Sequence, residues 1–247
     1  MELRVIGGCG AWPVAGEACS GYLLEHDGFR LLIDPGYAVL PRLLGSLEAD
    51  EVDAVFVSHR HPDHCADLNP LLRARALRDD PAPALPLFAL PGALDAVLAL
   101  DRPGMLNEGY DLREFEAGGA FRIGPLAIET AALPHSAPNA GARITAGPSV
   151  LVYTGDAGPD AALVDLARDA DVLLAEASYV DTVPADNRAT LSSAQDAGRQ
   201  AAAAGVGTLV LTHLLPGTDR RRAGQAARAS FGGPIRVARA GLTVALG

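Results

Sequence analysis

Cysteines and long apolar runs are scarce in this chain of 247 residues, and their scarcity excludes two classes of protein. The three cysteines, Cys9, Cys19 and Cys65, are too few and too irregularly spaced for a disulfide framework, so we expect reduced thiols. No apolar run approaches the ~18 residues of a membrane-spanning helix, and we expect no secretory leader before the first strand-like segment. These absences predict a cytoplasmic protein without a membrane span.

Basic residues are also in deficit. The chain has 20 lysines and arginines against 30 aspartates and glutamates, which gives a formal net charge of -10. A protein that grips a nucleic-acid backbone usually presents a basic face, because its binding works through phosphate neutralisation. The charge balance therefore makes nucleic acid a poor candidate partner. It leaves a small anionic substrate, held at a positive metal centre, as the expected ligand.

Histidine is rare in the chain but concentrated in one stretch. Three of the six histidines lie within residues 59–64, directly after an apolar run that predicts a buried strand. His59 and His61 alternate on an extended backbone and therefore share one side, whereas Asp63 and His64 enter the next helix and face the other way. Imidazole and carboxylate are ligands of zinc and its neighbours. A single His-x-His is common in surface turns, but four potential ligands in six residues indicate a metal site.

Three more candidate ligands, His135, Asp156 and His213, each follow an apolar run elsewhere in the chain. Strand ends are where sheet proteins assemble sites, because the scaffold is rigid and the loops are free. Each of these residues alone could be a capped turn or a half-buried histidine. Together with the first cluster they account for five of the six histidines. His26 precedes Asp-Gly in a hairpin signal and is expected in an exposed turn outside the site.

The hydrophobic pattern predicts strands alternating with helices over one domain, residues 1–247. The predicted strands are residues 3–6, 20–25, 29–33, 52–57, 87–90, 112–115, 121–123, 126–133, 142–146, 149–153, 172–176, 208–212 and 235–244. The predicted helices are residues 37–47, 63–77, 91–100, 161–168, 192–204 and 220–231. Strands grouped in this way, with helices on their outer faces, favour stacked sheets over one doubly wound sheet.

The order of these residues resembles the metallo-β-lactamase superfamily. The residues that carry the resemblance are Asp34, His59, His61, Asp63, His64, His135, Asp156 and His213. The resemblance implies an α/β (α+β) fold, a four-layer αββα sandwich, with two divalent metal ions at one edge of the sheets. Zinc is the leading candidate for both ions, with manganese and iron as alternatives.

The resemblance also implies a role for each ligand. His59, His61 and His135 would hold the first metal. Asp63, His64 and His213 would hold the second, and Asp156 would bridge the two. Asp63 and Asp156 are the expected catalytic residues, with Asp63 orienting the attacking water or accepting its proton. Asp34 is expected to support the site from the end of an early strand.

Within the superfamily the chain is most similar to the ribonuclease Z-like and phosphodiesterase branch. The stretches that match this branch are residues 133–136, 153–156, 175–178 and 211–214. The implied function is hydrolysis of a small phosphodiester, with cyclic nucleotides among the candidates, by a water that the two metals activate. The alternative is a carboxylic ester, lactone or thioester hydrolase. Transfer-RNA 3′ processing and a non-hydrolytic redox role are weaker readings, and a homodimer is compatible with the resemblance.

One position departs from the branch. Thr190 stands where many of its members carry a histidine that helps with proton transfer at the scissile phosphate. Threonine cannot protonate a leaving group as imidazole does, so another acid, such as Glu176, or a good leaving group is expected. Arg60 is a candidate substrate contact. The loops at residues 102–109 and 179–189 are expected to shape substrate specificity.

Overall fold

The computed structural model describes all residues, 1–247. The strands are β1 (Glu2–Gly7), β2 (Gly21–His26), β3 (Phe29–Ile33), β4 (Ala54–Phe56), β5 (Leu85–Ala89), β6 (Tyr110–Glu114), β7 (Ala120–Ile123), β8 (Leu126–Leu133), β9 (Asn139–Ala146), β10 (Ser149–Tyr153), β11 (Val172–Glu176), β12 (Thr208–Thr212), β13 (Ile235–Val237) and β14 (Thr243–Ala245). The helices are α1 (Val39–Leu43), α2 (Pro62–Cys65), α3 (Leu68–Ala76), α4 (Asp95–Leu98), α5 (Ala161–Leu166), α6 (Ala194–Ala204) and α7 (Arg220–Arg228).

The strands form two mixed sheets of seven strands each. The first sheet has the order β14-β1-β2-β3-β4-β5-β6, and the second has the order β13-β12-β11-β10-β9-β8-β7. In the first sheet β3 to β6 run parallel to one another, and in the second β10 to β13 do. The carboxyl ends of the parallel strands therefore gather at one edge of each sheet, where loops can meet.

Three apolar clusters hold the layers together. The cluster between the sheets includes Tyr22, Phe56 and Tyr153, which are fully or almost fully buried. The cluster on the outer face of the first sheet includes residues of α1, α3 and α4, and the cluster on the second sheet includes residues of α5, α6 and α7. Helices therefore cover both outer faces, which confirms the predicted four-layer αββα sandwich.

Helices α6 and α7 pack closely because small residues face one another. A Cβ added at Gly198 of α6 would lie 2.4 Å from the carbonyl oxygen of Ala227 in α7. Ser193 caps α6, and the Asp196 side chain reaches back to the Ser193 backbone N–H. The loop that contains Thr190 to Ser192 ends at this capping box, because Ser193 is the N-cap and α6 begins at Ala194.

Most predicted strands are correct, whereas several predicted helices are too long. The helix predicted over residues 63–77 is two helices, α2 and α3, because the chain bends at Asp67, whose carboxylate accepts the Leu40 backbone N–H at 2.7 Å. The helices predicted over residues 37–47 and 91–100 are only α1 and α4. His26 ends β2 as a half-buried residue and does not lie in the turn. No helix is both long enough and apolar enough to span a membrane.

Candidate metal centre

The seven predicted ligands lie in segments that follow strands of both sheets, and two of them, Asp63 and His64, are in helix α2. Residues 59–64 follow β4 in the first sheet, whereas His135, Asp156 and His213 follow β8, β10 and β12 in the second. The structure brings all seven together in two groups that share Asp156. His213 has a positive φ of 55°, and backbone conformations of this kind concentrate at functional sites. His26 belongs to neither group.

The first donor group contains His59, His61, His135 and Asp156. Nδ1 of His61 lies 3.1 Å from Nε2 of His59 and 3.0 Å from Nε2 of His135, so three ring nitrogens point at one another. Nδ1 of His135 donates to the carbonyl oxygen of Thr190 at 3.0 Å, which fixes its tautomer and leaves Nε2 with a lone pair. Three converging nitrogens and one carboxylate are a donor set that suits zinc-like cations.

The second donor group contains Asp63, His64, Asp156 and His213. Oδ2 of Asp63 lies 3.1 Å from Nε2 of His213 and 3.6 Å from Nε2 of His64. Nδ1 of His64 donates to Asp34, and Nδ1 of His213 faces the hydroxyl of Ser178 at 2.9 Å. Like His135 of the first group, His64 and His213 are thus held through Nδ1 and present Nε2 to the centre.

Two buried atoms in this centre lack hydrogen-bond partners, and they test whether a cation fits. Nε2 of His64 and Oδ1 of Asp156 are both buried and unsatisfied, although they lie only 3.2 Å apart. An unpaired buried polar atom costs about 1–3 kcal/mol, so two of them facing one another need an explanation. A cation coordinated by both atoms would satisfy them. The arrangement is therefore able to bind metal.

The imidazoles of the two groups differ in protonation. Burial, followed by the neighbouring imidazoles, lowers the pKa of both His59 and His61. Burial also opposes the charged forms of His64 and His213, but the charge of Asp156 and hydrogen bonds to carboxylates, Asp34 for His64 and Asp63 for His213, together raise the pKa of both. In the metal-free protein His59 and His61 are therefore neutral imidazoles with a lone pair free for a cation, whereas at His64 and His213 protons would compete with a metal.

The two carboxylates of the centre are strongly acidic. Burial alone would raise the pKa of Asp63, but the hydrogen bond from His213 and the charge of His64 bring it well below its usual range. Burial likewise opposes ionisation of Asp156, yet the charges of His213 and His64 hold its pKa well below the ordinary value. Both side chains are therefore anionic and able to face cations.

Asp34 supports both donor groups at once. Its carboxylate accepts four hydrogen bonds, from the Ser58 backbone N–H, the Ser58 hydroxyl, Nδ1 of His64 and the Tyr153 hydroxyl, at 2.6 to 2.8 Å. The Ser58 hydroxyl in turn lies 3.0 Å from Nδ1 of His59. Asp34 thus contacts the second group directly and reaches the first through Ser58. The sequence pointed to Asp34, but it missed the supporting roles of Ser58, which directly precedes His59, and of Tyr153, which begins the matching stretch 153–156.

Comparison with known proteins agrees with this geometry. The family described as "Beta-lactamase superfamily domain" matches residues 29–214. YhfI of Bacillus subtilis (strain 168), a probable metallo-hydrolase, is 31% identical over 244 residues, which are 98% of this chain and 98% of that protein. The chain belongs to the metallo-β-lactamase superfamily of metal-dependent hydrolases.

Other members place the chain near ribonuclease Z-like proteins. A Ribonuclease Z of Kineococcus radiotolerans is 31% identical over 290 residues, covering 96% of this chain and 91% of that protein. The crystal structure of B. subtilis YhfI has a TM-score of 0.89 and covers 100% of this chain and 98% of its own. The short form of human tRNase Z, at 20% identity and a TM-score of 0.81 with both chains covered completely, shares the fold.

Glu176 connects the loops that carry the superfamily's ligands. Its buried carboxylate accepts backbone N–H groups of Ala157 at 3.0 Å, Ser178 at 3.3 Å and Ser192 at 2.9 Å. Ala157 follows Asp156, and Ser178 contacts His213. Burial and the charge of Asp156 raise the pKa of Glu176 to about 8. Its oxygens belong to neither donor group, so its role as a leaving-group acid stays a prediction.

Thr190 contributes its backbone to the first donor group. Its carbonyl oxygen holds His135, whereas its hydroxyl donates to the carbonyl oxygen of Asn187 at 3.3 Å. Arg60 is exposed between two ligands, and its role as a substrate contact stays a prediction. The loop over residues 102–109 lines a separate cavity of about 640 Å³ that contains none of the ligands.

The loop after β1 reaches the centre through its backbone, a contact that the sequence analysis missed. The Ala11 N–H donates to Oδ2 of Asp63 at 2.9 Å. Gly10 allows this approach, because a Cβ there would lie 2.8 Å from Nδ1 of His213. The next residue is Trp12, the only tryptophan of the chain, which is 53% exposed. The glycines of this loop were a signal for close backbone approach.

Proposed function

We propose that this protein is a dinuclear metal-dependent hydrolase of small phosphodiesters, with cyclic nucleotides among the candidate substrates. The observation that carries the proposal is the position of Asp156, whose oxygens face His64 and His213 on one side and His59 and His135 on the other, at 3.2 to 3.9 Å. A carboxylate shared by two donor groups suits two adjacent cations. The similarity to a Ribonuclease Z supports phosphodiester chemistry.

Zinc is the metal we propose for both positions. The first position would be held by three imidazoles and a carboxylate, and the second by two imidazoles and two carboxylates. Nitrogen-rich sets of this kind favour zinc, and manganese or iron would use the same ligands. Two such ions would lower the pKa of a water to about 7 or below and stabilise the negative charge of the transition state.

The chain's own residues would then position the reactants. Asp63 is held by the Ala11 N–H and by His213, and its low pKa keeps it anionic, so it can orient a nucleophilic water or accept its proton. The metals' four positive charges exceed the two negative charges of Asp63 and Asp156, so the centre would attract an anionic phosphate. Because residue 190 is threonine, no imidazole is present there to protonate the leaving group. Diesters with good leaving groups are therefore the favoured substrates.

The substrate should be small. The acidic balance of the chain, 30 carboxylates against 20 basic side chains, opposes a long polyanion. The homodimer and the cytoplasmic location expected from the sequence stay predictions. Size-exclusion chromatography with light scattering would measure the oligomeric state directly.

The test is hydrolysis of bis(4-nitrophenyl) phosphate by protein of measured metal content. We expect turnover with two zinc ions per chain, and the Asp156→Ala variant should lose at least one ion and about 10²-fold or more in rate. Asp165→Ala, which removes an exposed carboxylate of α5, is the matched control and should keep both.

Absence of diester turnover with two metals bound would contradict the proposal. Activity on lactones, thioesters or carboxylic esters would then assign the acyl hydrolase reading to the same centre. Turnover that survives in Asp156→Ala would instead show that the reaction occurs elsewhere.

A further inference from the structure

A cleft of about 710 Å³ adjoins the first donor group. One wall is the loop between β8 and β9, which contains His135 and ends at Asn139. The other wall comes from the first sheet, where Leu90 follows β5 and Glu116 follows β6. The cleft therefore opens between the sheets beside a proposed metal ligand. Its volume is within the roughly 300–1,000 Å³ of small-molecule sites.

Backbone and side-chain hydrogen bonds hold both walls in place. The Phe115 N–H donates to the carbonyl oxygen of Ala89 at 3.1 Å, and the Gly92 N–H donates to the Glu114 carboxylate at 2.9 Å. On the opposite wall the Asn139 side-chain amide donates to the carbonyl oxygen of Thr154 at 3.0 Å. The cleft is thus a formed feature of the fold that needs no rearrangement to receive a ligand.

The lining of the cleft carries one fixed charge. Glu116 and His135 are the ionisable residues among its lining, and the others are apolar or small polar residues: Leu90, Pro91, Ala117, Ala132, Leu133, Pro134, Ser136, Ala137, Pro138 and Asn139. No lysine or arginine lines it. An anionic group that extends into the cleft would therefore meet a carboxylate and find no cation to pair with.

We infer that this cleft holds the organic group of the substrate and that Glu116 selects against a second negative charge in that group. The inference rests on the proposed function, in which the metals bind the phosphate. The preferred substrate is then a diester with one anionic phosphate and a neutral or cationic organic group that bears hydrogen-bond donors. Oligonucleotides and polyphosphates, which carry further negative charges, would be repelled at this wall.

The test compares three phosphonates that share a benzyl group and differ in its para substituent, which is neutral, cationic or anionic. They are benzylphosphonate, 4-(aminomethyl)benzylphosphonate and 4-carboxybenzylphosphonate, titrated calorimetrically into protein loaded with two equivalents of zinc. We expect the aminomethyl compound to bind best and the carboxy compound to bind at least about tenfold more weakly than it, since like charges repel across the cleft.

Variants of Glu116 separate this charge effect from other causes. Glu116→Gln should bring the three dissociation constants together, and Glu116→Lys should reverse their order. Glu108→Lys makes the same change of charge at a residue that lines the separate cavity, and it should leave the wild-type order intact.

The inference is overturned if wild-type protein binds the three phosphonates equally or not at all, or if Glu116→Lys keeps the original order. Because binding is measured without turnover, the two proposals fail separately. A charge order that depends on Glu116, together with no diester hydrolysis, would place the error in the proposed reaction. Diester hydrolysis without this order of affinities would place the error in the inference about the cleft.

Discussion

The hydroxyl of Tyr153 donates a hydrogen bond of 2.7 Å to Oδ2 of Asp34, and this bond joins the two sheets beside the metal ligands. Tyr153 ends β10 of the second sheet, and Asp34 follows β3 of the first. Both residues are almost completely buried. The carboxylate that orients ligands of both donor groups is therefore itself held by both sheets.

Replacing Asp34 should weaken both metal positions. Asn at this position would turn an N–H₂ group toward donors that need an acceptor, so we expect Asp34→Asn to lower metal affinity by about 10- to 100-fold. Competition with a chromophoric chelator measures this. Tyr153→Phe is the control, because it removes one bond and leaves the carboxylate in place. It should cost about 1 kcal/mol of unfolding free energy. Unchanged metal affinity in Asp34→Asn would contradict the role of Asp34.

Acid should remove the second metal before the first. The pKa of His64 and of His213 is raised, so protons compete with their metal as pH falls through that higher range. The pKa of His59 and of His61 is lowered, so these two imidazoles of the first group stay neutral to lower pH. Metal content after dialysis at decreasing pH should therefore fall in two steps.

Variants with a single intact group identify the two steps. His61→Ala disrupts the first group, and its remaining metal should leave at the higher pH. His213→Ala disrupts the second group, and its metal should persist to the lower pH. If the two variants lose their remaining metals in the reverse order, or at the same pH, the proton affinities of the histidines do not control metal retention.

The side chain of Thr190 should matter little for metal binding, because its carbonyl oxygen holds His135. Thr190→Ala should keep its metals and stay within about twofold of wild-type rate, because the hydroxyl that is removed bonds to the carbonyl oxygen of Asn187 and not to a ligand. Thr190→His should speed up diesters with alkyl leaving groups, by up to about 10²-fold, more than diesters with 4-nitrophenyl leaving groups. Rates with the two substrate types measure this ratio. An equal change on both would argue against a proton donor at this position.

Trp12 should report on metal loading through its fluorescence. It is the only tryptophan, it is exposed, and its neighbour Ala11 donates to the carboxylate of Asp63. A cation bound by Asp63 changes the charge beside this loop, so we expect the emission intensity to change on zinc titration. Asp63→Asn should remove most of the change that the second equivalent of zinc causes. If Asp63→Asn shows the same change in emission intensity as wild-type protein, Trp12 does not report on metal binding at Asp63.

The strands and the ligand types were predictable from local sequence. The predicted strands at residues 29–33, 126–133, 149–153, 172–176 and 208–212 coincide with β3, β8, β10, β11 and β12. Four of these strands, β3, β10, β11 and β12, belong to the parallel parts of the sheets and are nearly continuous apolar runs, so their boundaries are visible in the sequence. Helix ends were less visible, because Asp67 leaves the helix to bind a backbone N–H of a distant residue.

The sequence by itself determined the fold class, the candidate ligands and the absence of an imidazole at position 190. The tertiary structure alone decided which nitrogen of each histidine faces the centre, that Glu176 binds loop backbone, and that the cleft beside His135 contains Glu116. These facts depend on contacts between residues far apart in the chain, such as Asp34 and Tyr153, which are separated by 119 positions. Local propensity and spacing carry no information about such contacts, because packing of the two sheets creates them.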